Sequence, residues 1–422
     1  MESKLNKKDK EYSDSELQKY ANIYEVHSFK ELEKIVKKYG ESLVQKTYNA
    51  LTDKISRNTI NVNGKELINF TGYNYIGMSG DPIVSQASMD AIKKYGTSVS
   101  ASRAVSGEKP IHRKLEEKIA EFVGKEASVT FTAGHGANVS TIGHLFNKDD
   151  LIIHDSLIHN SSWLGTLLSG AKHIRFRHND AKDLESILQK HRTRYKRALI
   201  LTEGLFSMDG DIPDIPKYLE LKKRYHTFLM VDEAHSMGVL GKTGRGISEH
   251  FGINPNEIDI LMGTLSKSFG SCGGFVTGSK KFINFMKLSC PSFIYSAGMP
   301  PSNAAAALAS IELLEKEPTR IKTLHDRSRL LLQLLKEADL NTGECRDSPI
   351  IPVIVGNAVL AMTLSSQLEE HGIYALPLAY PIVKKGESRI RFFVNCTHTE
   401  EQIHFTVATL KQLIKNNKEN LE

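Results

Sequence analysis

Two apolar runs in this chain end on residues of the kind that do chemistry. Residues 226–236 read His-Thr-Phe-Leu-Met-Val-Asp-Glu-Ala-His-Ser, so Asp232 closes a run suited to a strand buried on both faces, and His235 follows three residues later. Residues 258–267 read Ile-Asp-Ile-Leu-Met-Gly-Thr-Leu-Ser-Lys, which brings Lys267 to the end of a second such run, just before Ser268-Phe-Gly-Ser-Cys-Gly-Gly274. A lysine held in a partly dry pocket near a positive group loses its proton more readily than a free side chain, and can then form an imine with a carbonyl. A carboxylate beside a heteroaromatic nitrogen keeps that nitrogen protonated and makes the ring a better electron sink. The glycines after Lys267 let backbone pass close to a ligand. Taken alone, Asp232 and His235 read equally well as a helix-capping aspartate and a surface histidine, and a lone lysine after a strand is usually just solvated. The combination fits pyridoxal 5'-phosphate, which needs both groups.

Residues at strand ends need a sheet to bring them together. Between about residues 70 and 300, apolar runs at 128–132, 151–153, 198–202, 228–231, 258–262 and 274–277 alternate with helix-length stretches such as 181–189 and 216–225. This pattern predicts a largely parallel sheet covered by helices on both faces, with ligands at the carboxyl ends of its strands. Gly134-His135 follows one such run and precedes a helix, where backbone N–H groups and the helix dipole favour an anion. Upstream, residues 59–70 read as two short strands around Asn63-Gly64, a type I' turn pair. Residues 29–51 have helical apolar spacing, and residues 1–20 are charged, poor in apolar side chains and expected to be mobile. Beyond Pro300-Pro301, a helix over 303–314, strands over 350–355 and 389–394, and helices over 360–371 and 399–415 predict a small α+β unit. In the second strand Arg389 and Arg391 share a face opposite Ile390. The expected organisation is a tail and helical arm over 1–57, a large domain over 58–300 and a smaller one over 301–422.

Six motifs occur in the order of one family: Gly96-Thr-Ser-Val-Ser-Ala-Ser-Arg103, His112-Arg-Lys-Leu-Glu116, Thr202-Glu-Gly-Leu-Phe-Ser-Met-Asp-Gly210, Val231-Asp-Glu-Ala-His-Ser-Met-Gly238, Thr264-Leu-Ser-Lys267 and Arg389-Ile-Arg391. On these the chain resembles, from about residue 70 to 398, the α-oxoamine synthases, fold-type-I pyridoxal phosphate enzymes that join an amino acid to an acyl thioester. The resemblance implies an α/β fold with a mostly parallel seven-stranded sheet and a smaller α+β C-terminal domain. It makes Lys267 the Schiff-base lysine and proton shuttle, Asp232 the partner of the pyridinium nitrogen, and His159 the histidine stacked on the ring. His235 and Ser207 would hydrogen-bond at or around the phenolic oxygen, and Gly134 and His135 would meet the phosphate. Thr264 would reach the phosphate of the partner subunit's site, with Ser296 and Ala297 near the same interface of a homodimer with shared active sites. Arg391 would grip the amino acid's carboxylate and Tyr73 would lie near the amino-acid pocket. His135 stands where the family often has an aromatic residue, and Tyr73 where it often has asparagine.

The implied reaction is decarboxylative condensation of an amino acid with an acyl thioester, carried on coenzyme A or a carrier protein, to give an α-amino ketone in lipid or biotin biosynthesis. Its rivals are another fold-type-I reaction (lyase, aldolase or aminotransferase) and a non-catalytic partner subunit of the same fold. Retention of Lys267, Asp232, His159 and Thr264 together argues against the second. The formal charge of +6 is interleaved with acids along the chain, which suits a solvated surface better than nucleic-acid binding. The four cysteines form neither a CxxC pair nor a zinc spacing, so a metal-free cytoplasmic protein with reduced thiols is expected. No apolar run approaches the roughly 18 residues of a membrane span, and the N-terminus lacks a secretory stretch.

Overall fold

The structure is a computed structural model that describes residues 11–40 and 50–419. By internal contacts the chain forms two units, one of Met1–Asp53 with Val62–Gly64 and the other of Lys54–Asn61 with Lys65–Glu422. In the first, a helix spans Asp14–Tyr20 because Ser13 and Glu16 cap it reciprocally: each side chain takes the other's backbone N–H. Residues 1–10 of the expected tail lie outside the described residues. A second helix runs His27–Tyr39; the continuation expected over residues 41–49 also lies outside them. Strands β1 (Thr59–Val62) and β2 (Lys65–Asn69) flank Asn63 and Gly64, whose φ angles of 51° and 81° are the left-handed pair that a type I' turn demands.

The main sheet comprises β3 (Ala127–Phe131), β4 (Leu151–Asp155), β5 (Lys172–Phe176), β6 (Ala198–Glu203), β7 (Phe228–Asp232), β8 (Ile260–Thr264) and β9 (Gly274–Gly278), in the order β3-β9-β8-β7-β6-β4-β5. Only β9 runs antiparallel to its neighbours. Alternate side chains of the central strands enter two separate cores: Ile153, Ile200, Val231 and Leu261 on one face, Ile152, Leu199, Met230 and Met262 on the other. That double burial is why these strands are apolar throughout. Edge strand β5 went unread because Lys172, His173 and Arg175 break its pattern, and Phe176 is its one buried residue.

The C-terminal part holds β10 (Ile350–Gly356), β11 (Ile373–Tyr374), β12 (Leu376–Leu378) and β13 (Ser388–Phe393), with helices Pro301–Lys316, Thr319–Glu337, Ala358–Glu370 and Glu400–Glu419. β13 is the central strand, antiparallel to β10 and β12, while β11 pairs with β2. Residues 65–422 thus form one contact unit, within which we propose a boundary near residue 300 as the change from one sheet to the other. Among the described residues no helix is long and apolar enough to cross a membrane, and no cluster of three or more His, Cys, Asp or Glu side chains could hold a metal ion. The four cysteines are unpaired.

Candidate active site

The carboxyl ends of β6, β7 and β8 and the turn after β3 converge on a cleft of about 290 Å³, lined among others by Gly134, His135, His159, Asp232, His235, Thr264 and Lys267. The sheet thus brings together residues spread over more than a hundred positions of sequence. A wider groove of about 1020 Å³ lies elsewhere. There Arg103 pairs with Glu108 and Glu116, and Lys287 with Glu116, so these charges satisfy one another.

Asp232, the last residue of β7, is fixed by two donors: Asn138 Nδ2 at 2.7 Å to Oδ2 and the Ala234 N–H at 2.9 Å to Oδ1. Lys267 enters the same space. Burial pushes its pKa down to about 8, against the pull of Asp232 and with help from Arg391. His159 caps the helix Asn160–Ser169; its Nδ1 accepts the Ser161 N–H at 3.3 Å and pairs with Ser161 Oγ at 2.7 Å, which leaves the ring proton on Nε2. Burial lowers its pKa, so the imidazole is a neutral flat face. His235 Nδ1 lies 2.8 Å from the Tyr75 hydroxyl, and burial drives the His235 pKa far down and the Tyr75 pKa far up.

The helix Gly134–Leu145 starts in the cleft. A Cβ at Gly134 would come within 2.8 Å of Thr264 Oγ1, so only glycine lets the helix start lie against that hydroxyl. Thr264 Oγ1 also donates to the Gly273 carbonyl at 3.0 Å and pairs with Ser266 Oγ at 2.8 Å. Ending β8 beside Gly134, Thr264 lines its own chain's cleft.

The remaining expected residues lie outside the lining of the cleft. Tyr73 flanks it, with its ring centroid 5.7 Å from Lys267 Nζ and 5.7 Å from the His235 ring. Arg391 lies over the Phe393 ring at 4.4 Å and donates to the Ser207 carbonyl at 2.8 Å. Ser207 thus supports Arg391 through its backbone. Ser296 bonds the Ser292 carbonyl and Ala297 bridges to Ser102, both away from the cleft. Sequence reasoning gave no role to Asn138, Ser161, Tyr75 and Glu203. Glu203 could have been found, because it ends β6 as Asp232 ends β7, and the two are register partners. Burial, with Asp232 adding to it, raises the Glu203 pKa well above the carboxylate range, so Glu203 is an uncharged acid.

The residues present fit pyridoxal phosphate. A helix start stripped of side chain at Gly134, next to the hydroxyls of Thr264 and Ser266, suits a phosphate. Asp232 would offer a fixed carboxylate to the ring nitrogen, His159 a flat face, and Lys267 an amine that is readily neutral.

Fold and cleft together define a fold-type-I pyridoxal phosphate protein. The profile of the aminotransferase class I and II family matches residues 65–410. The 8-amino-7-oxononanoate synthase of Symbiobacterium thermophilum is 40% identical over 83% of this chain and 89% of its own. The serine palmitoyltransferase of S. paucimobilis, solved with pyridoxal phosphate and myriocin, superposes with a TM-score of 0.88 at 29% identity, covering 94% of this chain and 99% of that one. The 8-amino-7-oxononanoate synthase of Francisella tularensis gives a TM-score of 0.73 at 29% identity over 83% of this chain and 99% of its own. The chain belongs to the class I and II aminotransferase family and, within it, to the α-oxoamine synthases, pyridoxal phosphate-dependent acyltransferases that condense an amino acid with an acyl thioester and release carbon dioxide.

Proposed function

We propose that this cleft makes an α-amino ketone, with 8-amino-7-oxononanoate, the product named by the curated relatives, as the first candidate. The observation that carries the reading is the convergence of Lys267, Asp232 and the Gly134 helix start on one cleft, with Arg391 beside it and, among the described residues, without a carboxylate partner. The bound cofactor supplies the electron sink; orientation, binding and proton handling fall to the chain. Lys267 Nζ anchors the cofactor and then carries the proton taken from the amino acid's α-carbon, a task suited to a pKa of about 8. Asp232 Oδ2, held by Asn138, would pair with the ring nitrogen. His159, held by Ser161, would offer a neutral ring to stack on the cofactor, and His235, fixed by Tyr75, would hydrogen-bond around its phenolic oxygen. Arg391 binds the amino acid's carboxylate through its planar fork, whose plane Phe393 fixes. Tyr73 closes the pocket between Lys267 and Arg391.

The protein acts in this reading as a cytoplasmic homodimer. In support, Ser296 and Ala297 do not line their own cleft, and Leu164, Leu167, Leu168 and Tyr295 are exposed on the surface of a single chain. The test is product analysis. Purified protein is incubated with glycine, L-alanine or L-serine and either pimeloyl or palmitoyl thioester, and release of carbon dioxide and thiol is measured with the mass of the ketone. Thiol without carbon dioxide, or an exchanged amino group, refutes the reading. A palmitoyl-derived ketone selects the serine palmitoyltransferase-like activity instead.

A further inference from the structure

We propose that His178 is a positioning residue that holds Arg391 in place for the amino acid's carboxylate, acting through the loop of residues 206–211; this deepens, and rests on, the reading of Arg391 given above. His178 lies between carboxylates from two different segments. Its Nδ1 meets Asp155 Oδ1 at 2.9 Å and its Nε2 meets Asp211 Oδ2 at 2.8 Å. Both ring nitrogens can donate only when the ring is an imidazolium. Burial alone would depress its pKa, but the two carboxylates lift it to about 10.

One end of this clamp is rigid. Asp155 closes β4, is fully buried, and also accepts the N–H groups of Leu157 and Asn179, each at 2.8 Å. The other end belongs to a closed loop: the Asp211 carbonyl accepts the Phe206 N–H at 3.0 Å, and the Phe206 carbonyl accepts the Gly210 N–H at 2.9 Å. The Phe206 ring meets the imidazole edge-on at 4.5 Å, so the loop is gripped by charge on one side and by packing on the other. From this loop the Ser207 carbonyl receives Arg391 Nη1 at 2.8 Å and the Met208 carbonyl receives Arg389 Nη1 at 3.2 Å. A continuous chain of contacts therefore runs from the sheet through His178 and Asp211 to the guanidinium. Without the imidazolium, Asp155 and Asp211 would be left as two carboxylates with no cation between them, and the loop would shift away from β4 and take the Ser207 carbonyl with it.

The test compares wild type, His178→Gln, Arg391→Ala and the double variant as holoenzymes, titrating cofactor absorbance with L-alanine, L-serine and glycine and separating KM from kcat. His178→Gln is expected to weaken amino-acid binding about tenfold with kcat at saturation little changed, and to add nothing in the Arg391→Ala background, since it acts through that residue. Asp211→Asn should give the same pattern, which keeps the test decisive if His178→Gln does not fold. A wild-type Kd for His178→Gln beside a weakened Arg391→Ala overturns the clamp and spares the reading of Arg391. An effect of equal size in both backgrounds overturns the clamp as well, because it marks a general structural loss. A wild-type Kd for Arg391→Ala overturns both.

Discussion

Replacing Arg391 by alanine should separate substrate binding from cofactor binding. The strand will survive the change, because β13 is paired on both sides, to β10 and β12. The guanidinium's partners carry no carboxylate: the Ser207 oxygen at 2.8 Å, Met208 Sδ at 3.2 Å and the Tyr73 side chain. Burial lowers its pKa, opposed by the nearby Tyr73 and Tyr75, so the site favours arrival of an anion. Losing one charge-assisted bond to that anion costs about 1.5–3 kcal/mol. At about 1.4 kcal/mol per decade, this is a roughly 10- to 100-fold rise in the amino acid's Kd. The assay is absorbance titration of the holoprotein with amino acid, and the absorbance before titration should match wild type. Arg391→Lys should recover part of the affinity, since a point charge cannot reproduce a planar fork. Arg389 is 2% exposed and paired with Asp209 of the loop that also meets Arg391, so Arg389→Ala should cost about 3–5 kcal/mol of stability, read as a lower Tm. A wild-type Kd in folded Arg391→Ala would place the carboxylate site elsewhere.

Capture of pyridoxal phosphate by the apoprotein should accelerate about tenfold between pH 7 and 9, as the Lys267 amine becomes neutral around its pKa of about 8; a rate still climbing steeply beyond pH 10 would contradict the depressed value. Gly134→Ala should weaken cofactor binding at least tenfold in equilibrium titration while the protein stays folded, because the added Cβ meets Thr264 Oγ1 at 2.8 Å. His178 has a folded-state pKa raised to about 10, so the stability it contributes is complete below the unfolded value of about 6.5 and is lost as pH rises to 10. The Tm gap between wild type and His178→Gln should accordingly be widest near pH 6 and close towards pH 10.

Apolar strands ending in polar residues made the central sheet legible, and with it Asp232 and Lys267, since a strand buried on both faces leaves few places for charge. β5 was not legible, because an edge strand tolerates Lys172 and Arg175. The position of β13 at the centre of its sheet was hidden for a different reason: its partners β10 and β12 come from separate segments, and pairing is not written in any one of them. Thr264 shows a third limit. Three residues from Lys267 in sequence, it gives no local sign that its hydroxyl packs against Gly134 at the start of a distant helix. The clamp at His178 joins the ends of β4 and β5 to the loop after β6, so no local pattern announces it.

The account stands most directly on Lys267. Borohydride reduction of the yellow holoprotein, followed by peptide mass mapping, should fix a pyridoxyl group on the peptide that contains Lys267, and Lys267→Ala should yield no reducible adduct while keeping its fold. A pyridoxyl group on another lysine, or a reducible adduct persisting in Lys267→Ala, would contradict it.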